Sequence, residues 1–152
     1  MTARVFATPA DLLGAVGERL GTSSWRTVDQ RTVDGFAEVT GDHQWIHRAG
    51  PAADAGPFGG PVAHGFLTLS LVVPMLDEVL RVDGASSVVN KGVDALRFTA
   101  PVPAGGRVRV TAELASAKSR PRDFVEAVLS VVVEIEGKLR PACKADLVML
   151  YR

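Results

Sequence analysis

In three successive stretches of the C-terminal half, apolar side chains fall on every second position. Val108, Val110, Ala112 and Leu114 alternate with Arg107, Arg109, Thr111 and Glu113; Val125, Ala127, Leu129, Val131, Val133 and Ile135 alternate with Glu126, Ser130 and Glu134; Cys143, Ala145, Leu147 and Met149 lead a last run ending at Tyr151. A period of two gives each stretch one apolar face, so each is expected to be a long strand buried on one side. Two shorter strands are expected at 86–90 and 94–99, and Glu136-Gly137-Lys138 as a hairpin turn.

Strands of this kind must bury their inner face against something, and residues 64–80 supply it. The run is apolar nearly all round: Phe66, Leu67, Leu69, Leu71, Val72, Val73, Met75, Leu76, Val79 and Leu80. A helix apolar on every side is expected to be buried on every side, and Pro74, lacking an N–H, should interrupt or kink it. The fold class that follows is α+β, an antiparallel sheet wrapped on a central helix.

Upstream, Thr8-Pro9-Ala10-Asp11 signals a helix start, with Thr8 as N-cap and Asp11 as the capping-box acid. Leu12, Leu13, Val16 and Leu20 would form its apolar stripe and Gly21 its end. An extended piece at 24–28 precedes a second helix from Asp29 to Thr40, with Val33, Phe36 and Ala37 inward, stopping at Gly41. Residues 41–63 are rich in Gly, Pro and Ala, which predicts an irregular loop with one helical turn near Pro51–Ala55.

At 152 residues the chain is read as one domain, 1–152, long enough for a single core. Lys and Arg together number 17, as do Asp and Glu, so composition gives no basic face and argues against nucleic acid as a partner. The single cysteine, Cys143, rules out an intramolecular disulfide and is read as core packing. The first residues lack the apolar stretch of a signal peptide, and no run approaches the roughly 20 residues of a membrane span. The protein is therefore expected in the cytoplasm, without a membrane partner.

Chemistry concentrates in residues 36–71. Asp42 and His47 follow a helix end, and Gly and Pro residues lead from them to the glycine-led start of the apolar helix. A carboxylate and an imidazole can share proton transfer on one substrate, and the N–H groups of a helix start can hold a developing negative charge. Taken singly, Asp42 also suits a turn and His47 a structural role. A metal reading is open as well, since His43 and His47 are spaced to share a helix face with Asp42 nearby. The preceding Gly41 and the lack of an HExxH glutamate weigh against it.

The strings GDHQWIH, PFGGPVAHGFLTLSL and LRFTAPVPAGGRVRV together resemble the MaoC-like hydratase/dehydratase family, and its NodN-like branch in particular, over roughly residues 5 to 150. The resemblance implies a hot-dog fold and (R)-specific hydration of trans-2-enoyl-CoA, or the reverse dehydration. It makes Asp42 and His47 the catalytic pair and Gly65 the oxyanion donor. Gln44, whose amide could bond Asp42 or a water, together with His64, Asn90 and Arg97, is expected at the substrate. Gln44-Trp45 stands where many members carry Asn-Pro, and Val73 where some carry serine; Ser70 is read as a packing hydroxyl.

The resemblance further implies a homodimer whose neighbouring subunit helps line the pocket. The substrate would be an acyl-CoA or acyl carrier protein thioester, with no metal and no redox cofactor. A hot-dog thioesterase and a non-catalytic acyl-binding protein are the alternative functions.

Overall fold

A computed structural model describes residues 3–152. In chain order it comprises β1 (Arg4–Phe6), a 3-10 turn (Pro9–Gly14), β2 (Arg19–Thr22), β3 (Arg26–Val28), α1 (Gln30–Thr40) and a second 3-10 turn (Trp45–His47). Then come α2 (Pro51–Asp54), α3 (Gly65–Ser70), α4 (Val72–Leu76), β4 (Leu80–Val82), β5 (Val88–Phe98), β6 (Gly106–Arg120), β7 (Phe124–Ile135) and β8 (Cys143–Tyr151). No helix among the described residues is long and apolar enough to cross a membrane.

The antiparallel sheet runs β2-β6-β7-β8-β5, with β3 paired to the other end of β6. Register follows the alternating pattern: Val110 pairs with Val133, Leu114 with Leu129, Leu129 with Leu147 and Val131 with Ala145. All of these side chains are buried, and they face Leu67, Leu71, Val72, Met75 and Leu76 of α3 and α4 within one hydrophobic cluster. A one-residue slip would turn the whole apolar set of a strand to solvent, so burial fixes the register.

The central helix breaks where proline dictates. Residue 74 has no N–H for the Ser70 carbonyl, Leu71 falls between α3 and α4, and the next bond, from Met75 N–H to Leu71 O, is long at 3.4 Å. The helix also ends earlier than expected, at Leu76; Leu80 begins β4, which pairs in parallel with β1. Nor is it buried all round. Phe66 is 65% exposed and packs edge-on against Phe98 of β5.

The expected first helix is reduced to a 3-10 turn. Its start is as read, with the Asp11 carboxylate accepting the Thr8 N–H at 2.8 Å. Gly17 then takes a left-handed conformation (φ +88°) and donates its N–H to Leu114 O on β6, which turns the chain into β2. Leu20 is buried from that strand, not from a helix stripe.

The second helix matches its expected bounds. Asp29 Oδ1 accepts the Thr32 N–H and hydroxyl at 2.8 and 2.7 Å, and Gly41 ends the helix at φ +77° with its N–H on Ala37 O. The two short strands expected at 86–90 and 94–99 are one edge strand, β5, with register shifts at Asn90–Gly92 and Asp94–Arg97. Between β7 and β8, Lys138 N–H bonds Ile135 O as a turn should, but β8 starts only at Cys143.

Candidate active site

The left-handed Gly41 releases the chain from α1 and Asp42 opens the next segment, its side chain half exposed. Asp42 Oδ1 accepts the Gln44 N–H at 3.4 Å, the local bond an aspartate in a turn makes. One 3-10 turn follows, closed by His47 N–H on Gln44 O, and it carries His47 inward until the ring is 6% exposed. Asp42 thus serves the turn and still presents its second carboxylate oxygen.

His47 is held by main-chain groups of Val62. Its Nδ1 lies 2.7 Å from Val62 O, while Val62 N–H bonds Ile46 O at 2.9 Å. A carbonyl can only accept, so Nδ1 carries the proton, and in the neutral ring the lone pair is on Nε2. The amide of Gln30 donates to the His47 carbonyl at 2.8 Å. Residues 61–63 are themselves pinned to the segment after β5, through Ala63 N–H on Val102 O and Ala104 N–H on Pro61 O. The loop expected to be irregular is therefore clamped on both sides of the histidine.

His64 sits at the N-cap of α3 and is 3% exposed. Its ring stacks on His47 with centroids 3.6 Å apart and planes 24° from parallel, and Phe36 lies against it at 4.9 Å. Nε2 is 3.0 Å from the Asp42 main-chain oxygen and 4.0 Å from Asp42 Oδ2. The structure places the expected residue His64 beside the Asp42–His47 pair, with one nitrogen engaged by Asp42 and the other, Nδ1, buried.

Gly65 opens α3, so its N–H has no intrahelical acceptor. It lines a pocket of about 350 Å³ with Phe58, Thr68, Phe98, Ala100 and Val102. A Cβ on Gly65 would come within 3.0 Å of the Phe98 ring, so the ring occupies the room the glycine leaves. The macrodipole behind this N–H is that of six residues only, since the helix breaks at Leu71.

Of the remaining expected residues, Asn90 and Arg97 lie away from this cluster and Gln44 lies within its turn. Asn90 faces a separate cavity with Val73, Leu76, Met149 and Tyr151. Arg97 is exposed on β5, its guanidinium donating to Leu96 O. Gln44 is exposed and holds Asp42 through its main-chain N–H. Trp45 lays its ring on Gly56, where a Cβ would come within 2.8 Å of it, so a glycine accommodates the ring that stands in the proline position.

His43 lies 3.8 Å from Glu38 and is not among the residues whose potential ligand atoms converge here. The cluster that does converge is Asp42, His47 and His64, with one potential ligand atom of each within 4.8 Å of the others. Each imidazole commits an N–H to a main-chain carbonyl, and the free nitrogen of His64 is buried. A cation at Asp42 would find an imidazole lone pair only on His47 unless His64 gave up its bond. The donor set suits proton transfer better than three-ligand binding.

Sequence reasoning missed Gln30, Phe36 and the Val62 main chain as supports of His47 and His64. Gln30 follows a helix cap and Phe36 falls on a helix stripe, so neither carried a signal beyond helix structure.

A family model described as MaoC like domain matches residues 11–135. The chain belongs to the MaoC-like domain family. Its sequence is 44% identical over 148 residues to 3-hydroxyacyl-thioester dehydratase Z of Mycobacterium tuberculosis, covering 97% of this chain and 98% of that one. It is 41% identical over 145 residues to Nodulation protein N of Rhizobium leguminosarum, covering 94% and 90%. Among solved structures, a monoamine oxidase regulatory protein from Archaeoglobus superposes with a TM-score of 0.80 at 24% identity, over 100% and 99% of the two chains. The (R)-hydratase from A. caviae superposes at 0.69 and 24%, over 88% and 94%. The fold of this MaoC-like chain is the hot-dog fold.

Proposed function

We propose that this protein is an enzyme catalysing (R)-specific hydration of trans-2-enoyl thioesters and the reverse dehydration of (R)-3-hydroxyacyl thioesters, in fatty acid metabolism. The observation that carries the reading is the convergence of the Asp42 carboxylate on His47, whose Nδ1 is bound to Val62 O so that Nε2 is free to exchange a proton. Identity of 44% across nearly the whole chain to a protein named a 3-hydroxyacyl-thioester dehydratase supports the same reaction class.

In the hydration direction, Asp42 takes a proton from water while His47 Nε2 holds the second hydrogen. The water oxygen bonds to Cβ, the alkene pair moves toward the thioester carbonyl, and the Gly65 N–H accommodates the charge on its oxygen. A proton returned to Cα completes the addition. Each proton is accounted for by a side chain of this chain, so the scheme needs no metal and no redox cofactor. Coenzyme A or acyl carrier protein enters only as the thioester carrier.

The edge strand β5 supports a homodimer. Almost all its residues are exposed, Val88, Val89, Val93 and Phe98 among them, and one edge has no partner among the described residues. Long apolar edge strands are ordinarily covered, often by a symmetric copy. Pairing across β5 would carry Asn90 and Arg97 toward the neighbouring subunit's pocket, where they would serve the substrate. A buried, unpaired Cys143 accords with a cytoplasmic setting.

The test is crotonyl-CoA with purified protein and no added metal, followed by loss of enoyl absorbance, chiral analysis and free-thiol release. The expected product is (R)-3-hydroxybutyryl-CoA. An (S) product, or thiol release in place of hydration, would overturn the assignment; the latter marks a thioesterase.

A further inference from the structure

We infer that His64 is a positioning residue of the reaction, its N–H on the Asp42 main chain and its ring face on His47 setting the distance between the two. The inference rests on the reading of Asp42 and His47 as the catalytic pair.

Asp42 has little else to hold it. Its side chain is about half exposed, its N–H reaches Thr40 Oγ1 at 3.3 Å, and the Oδ1 bond to Gln44 N–H is 3.4 Å. The 3.0 Å contact from His64 Nε2 to the Asp42 carbonyl is shorter than either, and it comes from a buried ring. That ring is itself anchored: the His64 carbonyl accepts the Thr68 N–H at 3.1 Å and the Thr68 hydroxyl at 3.3 Å, tying residue 64 to the first turn of α3.

The geometry also fixes the proton. A carbonyl accepts, so the proton is on Nε2, and Nδ1 is left as a buried acceptor with no hydrogen-bond partner. Burying a lone pair without a donor leaves its desolvation cost unrecovered. An aliphatic or phenyl side chain would fill the same space without that cost, so packing alone does not account for an imidazole here. Its Nε2–H does.

One residue thereby joins all three proposed catalytic groups. The ring of His64 touches Asp42 and His47, and its peptide bond supplies the N–H of Gly65. A displacement of about 1 Å between reacting groups typically costs on the order of 100-fold in rate.

The variants that separate ring from donor are His64→Phe, which keeps a flat ring on His47, and His64→Gln, whose amide nitrogen can reach the Nε2 position. In crotonyl-CoA hydration, His64→Phe is expected to lower kcat roughly 10- to 100-fold with KM changed less than about three-fold. His64→Gln should recover turnover to within about five-fold of the parent. Parental kcat in His64→Phe, equal losses in both variants, or a loss carried by KM would each overturn the role.

Imidazole nitrogen NMR on the unaltered protein reads the tautomer without any variant. A proton on His64 Nε2 and none on Nδ1 is expected, and the opposite tautomer overturns the proposal even if the variants fail to fold. Asp42→Asn in the same assay separates the two readings. Turnover kept there removes the catalytic pair and this role with it, whereas its loss beside a parental His64→Phe removes the positioning role alone.

Discussion

His47 Nδ1 lies 2.7 Å from the carbonyl oxygen of Val62, so one end of this imidazole belongs to the fold and the other is free for chemistry. The two ends can be removed separately. The amide nitrogen of an asparagine falls near the Nδ1 position, whereas that of a glutamine falls near Nε2.

His47→Asn should therefore keep the bond to Val62 O and lose Nε2, the nitrogen proposed to transfer the proton. Turnover should fall by about 100-fold or more, as loss of a general acid–base group does, with the melting temperature near the parent. His47→Gln should lose comparable activity and also destabilise the fold by roughly 1–3 kcal/mol, because Val62 O would be buried without a donor. Asp42→Asn should match the activity loss with little change in stability, since an amide oxygen can still accept the Gln44 N–H. Paired kinetics and thermal melts check all three. Near-parental turnover in His47→Asn or Asp42→Asn would withdraw that residue's role.

The strands were legible because nothing competed with their signal: Val108 to Leu114 and Val125 to Ile135 alternate without a break, and each buried residue falls where the period puts it. The first helix was misread because Leu12, Val16 and Leu20 keep a helical spacing that a tertiary bond overrides, from Gly17 N–H to Leu114 O. Asp42, His47 and Gly65 stood out through the strings around them. The surroundings of His64 did not, because they consist of a main-chain carbonyl and a ring stack, and neither leaves a residue pattern. The exposure of Phe66 and β5 was hidden for another reason. Apolar residues read as core whether they face the interior or the surface.

Gly65→Ala tests what the missing side chain is for. Its backbone allows alanine, but the new Cβ would stand 3.0 Å from the ring of Phe98. Overpacking costs about 1–3 kcal/mol, and a half-exposed ring on an edge strand can move, so a loss near 1 kcal/mol with a raised KM is expected. Phe98→Ala in the same chain should recover the stability, and a double-mutant cycle measures the coupling. Additive losses would mean the two residues do not meet.

Glu126 bonds both Arg120 and Lys91, and these cations hold its carboxyl down to about 2 from an ordinary value of 4.5. A depressed folded-state value stabilises the fold above the unfolded-state value, and that stabilisation is lost as pH falls through the folded one. The stability gap between the parent and Glu126→Gln should therefore be constant above about pH 5 and shrink between about 4.5 and 2. Denaturant titrations across that window check it. A gap independent of pH would show that the ion cluster contributes nothing through charge.

The turn between β6 and β7 offers a stabilising change. Arg120 pairs with Phe124, and within the turn Arg122 and Asp123 both hold left-handed conformations, at φ +64° and +62°. An arginine held there costs roughly 1–2 kcal/mol, whereas asparagine and glycine visit the region readily. Glycine gives back about 0.5–1 kcal/mol through the entropy of the unfolded chain. Arg122→Asn with Asp123→Gly should accordingly gain about 1 kcal/mol, a rise of roughly 2–4 °C in melting temperature, with hydration kinetics unchanged. Arg122→Ala is the control, because alanine removes the long side chain without relieving the backbone. An equal gain from that control would assign the effect to the lost arginine charge rather than to the turn.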